Sequence, residues 1–454
     1  MNIKDKKKET FLPPILALIL CSVFVLFLLR LEHKQSPHMT LALWIPTIWM
    51  LYIGSKPLSI WFPSSGGDLD SGSPLDRTFL IAIMCVALFI LIQRRFDWSR
   101  AIKENAWLIV LIVFMLASVL WSNIPDISFR RWIREFQAIL MAFAVLSEPS
   151  PRQAMESILR RTTYILIPFS VLLIKYFPTY GVMYATWSGG QMWTGVTLHK
   201  NSLGRLCIIA IFFLFWSLIR RWQGHNTPVW KYQTHIEIFI LVLALWLLGG
   251  PERRIFNSAT SVYALISGLL FYWGLYLLKK FGKNLRLRIL ITIVFISIIY
   301  GIFSVFAGGS SLNLFASTAG RDATLTGRTD IWAALLPVAM QKPIVGSGFG
   351  GFWTSRTREF FQISEAHNGY LEVLLELGFV GILLVSLYLL SCCRKAHREL
   401  SNNFDWGVIC ICYIIMAVVH NIGESTIETL ASHLTAIVLF FSVSSTIILS
   451  RGQQ

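Results

Sequence analysis

The sequence predicts an all-α fold, a polytopic transmembrane helical bundle of about 12–13 spans with one long, partly helical outer loop. The 454 residues are 55% hydrophobic and only 14% charged, whereas a soluble domain carries roughly 25% charged residues. Apolar runs long enough to cross a hydrocarbon core recur along the whole chain. Strongly basic connecting segments alternate with less basic ones. These observations exclude a soluble multidomain enzyme, a disulfide-rich secreted scaffold and a disordered chain.

Thirteen apolar runs are the predicted spans, with ends defined to within a few residues. The run at 40–54 is the weakest, so it either crosses the membrane or forms a re-entrant segment. The lysine-rich N-terminus precedes the first run without a small-residue cleavage site, which favours an anchor over a secretory signal. We therefore interpret residues 1–454 as a single polytopic membrane domain. The runs lie at about 12–30, 40–54, 78–93, 107–121, 133–147, 162–177, 202–219, 236–250, 258–278, 287–307, 369–391, 405–419 and 430–449.

Orientation follows from the connecting segments, because cytoplasmic loops of membrane proteins collect arginine and lysine. Five basic segments are assigned to the cytoplasm, namely 94–103, 152–161, 220–231, 279–288 and 394–398. The segments between them then face outside, and residues 308–368 form the large outer loop. Two spans before residue 55 place the N-terminus outside, whereas its lysines favour the inside, so the side of that terminus stays open.

The net charge of +16 is also explained by arginine and lysine that collect in cytoplasmic loops. A basic balance also occurs in nucleic-acid-binding proteins, but here no basic block accompanies a soluble module. We therefore expect a lipid bilayer and no nucleic acid as the surroundings of this chain. The seven cysteines fall in or beside apolar runs and are expected to pack there.

Positive residues are unexpectedly frequent on the outer face. One interpretation is that each arginine extends to a lipid headgroup. A set that converges from several spans favours instead a site for an anion with more than one charge, since guanidinium groups donate paired hydrogen bonds to phosphate. A diphosphate at the outer leaflet fits this description. The residues are Arg130, Arg131, Arg134, Lys200, Arg205, Arg253, Arg254, Arg321, Arg328, Arg356 and Arg358.

The outer loop has an internal pattern. Thr329 is placed to cap a helix that ends before Pro343, and its apolar stripe consists of Trp332, Leu335, Leu336 and Ala339. The glycine-rich run at 346–351 lacks the preceding strand of a phosphate-binding loop, so we expect a flexible turn there.

His367 and Asn368 stand where this loop returns to the membrane, at the start of an apolar helix. A histidine in this position can exchange protons near neutral pH within reach of a lipid-linked substrate. A hydrogen-bonded structural histidine is the alternative.

The motif around this histidine resembles the bacterial O-antigen ligase superfamily, which includes O-antigen and exopolysaccharide polymerases. Its pattern is His-[Asn/Ser/Gln], nine residues, then Gly-x-x-[Gly/Thr/Tyr]. The chain supplies His367-Asn368 and, after residues 369–377, Gly378 and Gly381. The second His-Asn pair, at 420–421, lacks the glycines. The segments 327–332 and 193–204 are also similar to the family. At 257–261 the chain lacks an arginine that many ligases carry, and Arg253 or Arg254 is the candidate to replace it.

The resemblance implies metal-independent, inverting glycosyl transfer without a cofactor, at the periplasmic face of the bacterial inner membrane. It implies an undecaprenyl-diphosphate-linked glycan as donor and a lipid A-core or other glycolipid or glycan as acceptor. His367 is then the base, and Asn368 orients it or binds the sugar. Ligase and polymerase both stay open, and a lipid-linked glycan transporter is less favoured because no internal repeat is visible. The cationic residues assigned to the diphosphate are Arg328 first, then Arg131, Arg134, Lys200 and Arg254.

Overall fold

The computed structural model describes residues 12–62, 72–184, 189–224, 230–251, 256–306 and 328–451. Over these residues the protein is all-α apart from one short antiparallel hairpin, which pairs Val182 with Trp193. The hairpin strands are β1 (Val182–Tyr184) and β2 (Gln191–Trp193). The helices are α1 Pro14–Gln35, α2 Trp44–Ile53, α3 Leu58–Trp61, α4 Pro74–Gln93, α5 Trp98–Glu104, α6 Ala106–Ser118, α7 Pro125–Leu146, α8 Pro151–Tyr176, α9 Pro178–Gly181, α10 Lys200–Trp222, α11 Gln233–Gly249, α12 Ala259–Lys280, α13 Leu287–Phe306, α14 Arg328–Ala339, α15 Ser355–Phe361, α16 Gly369–Asn402, α17 Phe404–His420 and α18 His433–Arg451.

Each predicted apolar run coincides with a helix or a helix pair, which confirms the all-α polytopic bundle. Seven helices in the described residues are long and apolar enough to cross a membrane alone: α1, α4, α8, α10, α12, α13 and α16. An eighth candidate is the pair α5 and α6, bent by 91° at Asn105. Four shorter apolar helical segments accompany them, and the weak run at 40–54 is one of these.

The centre of the bundle is formed by helices that are buried on most of their surface. In the most apolar 18-residue stretch of each helix, 83% of α8 and 78% of α10 is buried, against 22% of α1. Nearly every residue of α17 is buried as well. Close packing requires small residues at the contacts. At Gly268 of α12, a Cβ atom would lie 2.7 Å from the Met416 side chain on α17.

The described part of the outer loop packs against the bundle. The predicted helix is present as α14, although it begins at Arg328, so Thr329 lies inside it rather than at its cap. Trp332 is fully buried and donates a hydrogen bond from Nε1 to the Ala366 carbonyl at 2.9 Å. The apolar stripe thus holds α14 next to the segment that leads into α16.

The glycine-rich segment 346–351 is docked rather than a flexible turn as expected. Its residues 348–351 are buried, and the Phe349 N–H donates to the Ser118 hydroxyl at 2.9 Å. Gly348 has φ +87°, and a Cβ atom there would lie 2.6 Å from the Ser118 carbonyl oxygen. The glycines therefore allow two backbones to pack closely, a use that composition alone does not distinguish from mobility.

Candidate active site

His367 lies at the entrance to α16 in a left-handed backbone conformation, with φ +51°. Its side chain is 29% exposed, and its Nδ1 atom lies 3.0 Å from Glu365 Oε1. The residue between them, Ala366, is fully buried and donates its N–H to Glu372 at 2.8 Å. The backbone is therefore held in place at Ala366, whereas the side chains of His367 and Glu365 are partly exposed.

Asn368 is the N-cap of α16, and its amide is used completely by the protein. Its Oδ1 accepts hydrogen bonds from the N–H groups of Tyr370 and Leu371, each at 3.0 Å. Its Nδ2 donates to the carbonyls of Gly301 and Ile422. Of the two roles considered for Asn368, this placement favours orienting His367 over binding a sugar.

The hairpin between α17 and α18, residues 421–432, packs directly against this entrance. The Gly369 N–H donates to the Asn421 carbonyl at 2.9 Å. The Asn421 side chain accepts bonds from the N–H groups of Thr426 and Ile427 and so fixes the turn. Asn421 of the second His-Asn pair therefore binds the backbone next to the first pair.

Arg328 joins the site through this hairpin. Its Nη2 lies 2.5 Å from Glu424 Oε1, and its Nη1 donates to the Thr260 hydroxyl at 3.2 Å. Asn201 of α10 donates to the same Glu424 oxygen at 2.6 Å. The Arg328 side chain is 11% exposed and that of Glu424 is 4% exposed. Helices α10 and α14 thus converge on one carboxylate, and Thr260 of α12 holds Arg328 in place.

His367 and Arg328 are brought to the same site, because one nitrogen or oxygen atom each of Glu365, His367 and Glu424 lies within 4.8 Å of the others. Burial raises the pKa of Glu365, but the hydrogen bond and charge of His367, with Arg205 and His199, outweigh it, so the net shift is downward. Burial raises the pKa of Glu424, Arg328 opposes this shift and Glu365 adds to it. Glu365 is therefore the ionised carboxylate beside the imidazole.

The same three residues offer ligand atoms of the kind that bind a metal ion. A cation already occupies part of this arrangement, since the Arg328 guanidinium is in contact with the Glu424 oxygen. Metal-free chemistry stays a prediction, and a chelator tests it.

Arg131 and Arg134 lie in a neighbouring cavity of about 380 Å³. Arg131 donates to the Gly350 carbonyl. Three carboxylates line the same cavity: Glu135, Glu376 and Glu428. Glu135 accepts a hydrogen bond from the Thr429 hydroxyl at 2.6 Å. The arginines predicted for one anion site thus divide into two groups, one beside His367 and one in this cavity.

An apolar cavity of about 500 Å³ adjoins the charged one, and Tyr52 and Ser55 line both. Its other walls are aliphatic and aromatic side chains of α1, α2 and α8, among them Leu18, Ile48 and Phe169. The charged cavity thus borders an apolar cavity whose size suits part of a lipid chain.

The remaining predicted cations are placed differently. Lys200 is the first residue of α10, directly before the Asn201 that binds Glu424. Arg254, like Arg253 and Arg321, lies outside the described residues.

Comparison with known proteins bears on this arrangement. Residues 254–386 match the family model described as O-antigen ligase. This range contains Arg328, Glu365, His367 and Asn368. The chain is also 24% identical over 329 residues to the exopolysaccharide production protein ExoQ of Rhizobium meliloti (strain 1021), covering 68% of this chain and 70% of that protein.

The chain is therefore similar to the O-antigen ligase and polymerase superfamily over the part that carries this site. The glycine pair of the superfamily motif has a structural reason here. Helix α16 is kinked at Gly378, which has φ +64°, and the broken helix receives the loop backbone. The Phe379 N–H donates to the Pro343 carbonyl at 2.8 Å, and a Cβ atom on Gly378 would lie 2.3 Å from the Ile344 oxygen. The motif glycine Gly378 therefore allows the loop backbone at 343–345 to pack against α16, the helix that His367 directly precedes.

Several residues of the candidate active site could not be identified from the sequence. Glu365 contacts His367, a role that the sequence pattern does not indicate. Glu424 and Glu428 belong to a short hairpin whose apposition to the loop depends on long-range packing. A signal for them existed in the outer segment 420–429, where two carboxylates stand within five residues in a chain that is poor in acids.

Proposed function

We propose that this protein is a glycosyltransferase that moves a glycan from undecaprenyl diphosphate to an acceptor hydroxyl at the periplasmic face of the bacterial inner membrane. The contact between Glu365 and His367, beside Arg328, carries the proposal. It unites a base and an anion-binding cation at one site. No strand–helix alternation of a nucleotide-sugar module occurs in the sequence, which favours a donor that arrives already attached to lipid.

His367 acts as the base. The Glu365 carboxylate accepts the Nδ1–H of the imidazole, which leaves Nε2 to take the proton of the acceptor hydroxyl. As this oxygen bonds to the anomeric carbon, the bond from that carbon to the phosphate oxygen breaks. Undecaprenyl diphosphate leaves with the electron pair. Attack and departure on opposite sides of the carbon invert its configuration.

Arginines meet the charge that develops on the leaving diphosphate. Arg328 uses its two terminal nitrogens on Thr260 and Glu424, and its remaining N–H donors are available to phosphate oxygens. Arg131 and Arg134 line the adjoining charged cavity. The apolar cavity next to it offers a place for the start of the prenyl chain.

For the acceptor we propose a lipid A-core, which makes the protein a ligase. The similarity to ExoQ, an exopolysaccharide production protein, favours a second candidate. In this polymerase the acceptor is another lipid-linked glycan. Deletion of the gene separates the two. Uncapped lipopolysaccharide with retained lipid-linked polymer indicates a ligase, and accumulated single repeat units indicate a polymerase.

Transfer by purified protein in nanodiscs tests the role of His367. His367→Ala should lower transfer by about 10²–10⁴-fold, the usual contribution of general acid–base catalysis. Donor binding should persist, because the arginines are unchanged. His420 is unsuitable as a control, since it is fully buried in the bundle. His397, whose Nε2 lies 2.7 Å from the Leu285 carbonyl oxygen, serves better. Normal transfer by His367→Ala rules out this base, and loss of activity in EDTA rules out metal-free transfer.

Thiol labelling tests the proposed orientation. Ser364 and Ser401 are both exposed. Ser364 precedes the first residue of α16, and Ser401 is the penultimate residue of that helix. In a Cys85→Ser background, Ser364→Cys should react with a membrane-impermeant reagent in spheroplasts, and Ser401→Cys only after lysis. The reverse pattern places the candidate active site in the cytoplasm.

A further inference from the structure

A second charged cavity, of about 380 Å³, lies at the end of the bundle opposite His367. Arg220 lines it near the C-terminal end of α10, whereas Asn201 at the other end of the same helix binds Glu424. Nineteen helical steps of 1.5 Å separate the two sites by roughly 30 Å, the thickness of a hydrocarbon core. Asn403, which follows the last residue of α16, also lines the cavity. It is therefore a separate site on the other side of the membrane.

Arg160 is the unusual member of this cavity. It is 3% exposed, and among the described residues its guanidinium has no hydrogen-bond or ion-pair partner, with only the Phe213 ring stacked at 5.6 Å. The adjacent arginine on the same helix shows the ordinary solution, since Arg161 pairs with Glu32 at 2.7 Å. The carboxylates of Glu156, Glu237 and Glu32 act on this charge from beyond hydrogen-bond distance, and the Nε–H itself is buried without an acceptor. An acceptor in direct contact with the guanidinium would satisfy this donor.

Other donors on the wall are also incompletely used. Arg152 pairs with Glu399 at 2.6 Å, but its Nε–H is buried without a hydrogen-bond acceptor. Arg220 pairs with Glu156 at 2.9 Å, and its Nε atom has no hydrogen bond and only a 3.9 Å ion pair with Asp405. The indole N–H of Trp406 is likewise buried without an acceptor among the described residues. All three residues line the cavity. The wall therefore presents unpaired donors from several helices.

The charge of the wall points the same way. Three arginines line the cavity; Arg152 and Arg220 are paired with carboxylates, whereas Arg160 has no ion pair among the described residues. The wall has one buried acceptor without a partner, Gln35 Oε1, and rotation of that amide would present its NH₂ group instead. A planar, permanently charged guanidinium fork matches the oxygens of phosphate.

We propose that this cavity binds a phosphate group, with Arg160 as its main ligand and Arg152, Arg220 and Trp406 as further donors. Two sources share this chemistry: the headgroup of an anionic phospholipid in that leaflet, and a soluble phosphate compound. Basic pockets between spans are known sites for lipid headgroups. The proposal is independent of the chemistry at His367.

Thermal unfolding of the purified, delipidated protein tests this directly. Anything that binds the folded state alone stabilises it and makes Tm depend on ligand concentration. One titration adds phosphatidylglycerol and a parallel one adds phosphatidylcholine, both in detergent. A third adds inorganic phosphate against equal ionic strength of chloride. A rise with phosphatidylglycerol alone identifies a headgroup site, and a rise with inorganic phosphate identifies a site for soluble phosphate. No rise above the phosphatidylcholine and chloride controls overturns the proposal.

Variants separate this cavity from the one beside His367. Arg160→Met should abolish the ligand-dependent rise in Tm, and Arg160→Lys should keep part of it. Arg328→Ala should leave it unchanged. Arg100→Gln is the control, because Arg100 is a partly exposed arginine paired only with Glu104 in its own helix. A full rise in folded Arg160→Met, or its loss in Arg328→Ala, contradicts the assignment. If neither Arg160 variant folds, Trp406→Phe takes their place, and an unchanged affinity in that variant also counts against the site.

Discussion

Glu365 Oε1 lies 3.0 Å from Nδ1 of His367, with one fully buried residue between them in the chain. Such proximity between near neighbours in sequence depends on the left-handed backbone of His367, which turns both side chains to one side. The carboxylate then fixes which ring nitrogen carries the proton. Glu365 is therefore a positioning residue for the proposed base.

Glu365→Gln tests this role. We expect transfer to fall by about 10–100-fold, the usual effect of losing a carboxylate that orients a histidine. The loss should lie mainly in kcat, with KM for the lipid-linked donor nearly unchanged, and Glu365→Asp should recover part of it. Because the pKa of Glu365 is lowered, the carboxylate stays ionised throughout the neutral range. A variant that loses donor affinity but keeps kcat would instead place Glu365 in the donor site.

Arg328→Ala should reduce transfer by several orders of magnitude, because the variant loses the cation that pairs with Glu424 beside His367. Arg328→Lys should restore only part of it, since lysine keeps the charge but not the two-pronged geometry. The alanine variant also leaves the carboxylate of Glu424 buried without its ion pair, a change that costs about 3–5 kcal/mol in typical cases.

The double variant Arg328→Ala/Glu424→Gln therefore serves as its control. It should recover the Tm but not the transfer. Recovery of transfer in the double variant would mean that Arg328 acts only by neutralising Glu424.

Local features of the site are readable from the sequence, and long-range ones are not. The position of His367 at a loop–helix boundary follows from hydropathy, and α14 from its apolar stripe. The partner of Arg328 could not be predicted, because Glu424 lies 96 residues away in a hairpin whose placement depends on how α17 and α18 pack. The docked glycine segment was missed for a related reason, since glycine allows both mobility and close backbone contact.

Glu428 makes the stability of the protein depend on pH. Burial raises its pKa well above the ordinary value of 4.5, Glu372, Glu376 and Glu365 raise it further, and its Oε2 has no partner among the described residues. The folded protein therefore holds a proton that the unfolded chain releases above about pH 4.5. This contribution to the free energy of unfolding is complete below that pH. It is lost as the pH rises towards the folded pKa, at up to about 1.4 kcal/mol per pH unit.

Glu428→Gln should remove this contribution because the amide carries no proton to release. Thermal unfolding in detergent between pH 5 and pH 8 should show the Tm of the wild type falling more steeply than that of Glu428→Gln. The two curves should approach each other towards pH 5, because the wild-type carboxyl is protonated in both states only below about pH 4.5. Glu359→Gln, at an exposed position on α15, should reproduce the wild-type slope. Parallel curves for the wild type and Glu428→Gln would show that Glu428 is ionised in the folded protein.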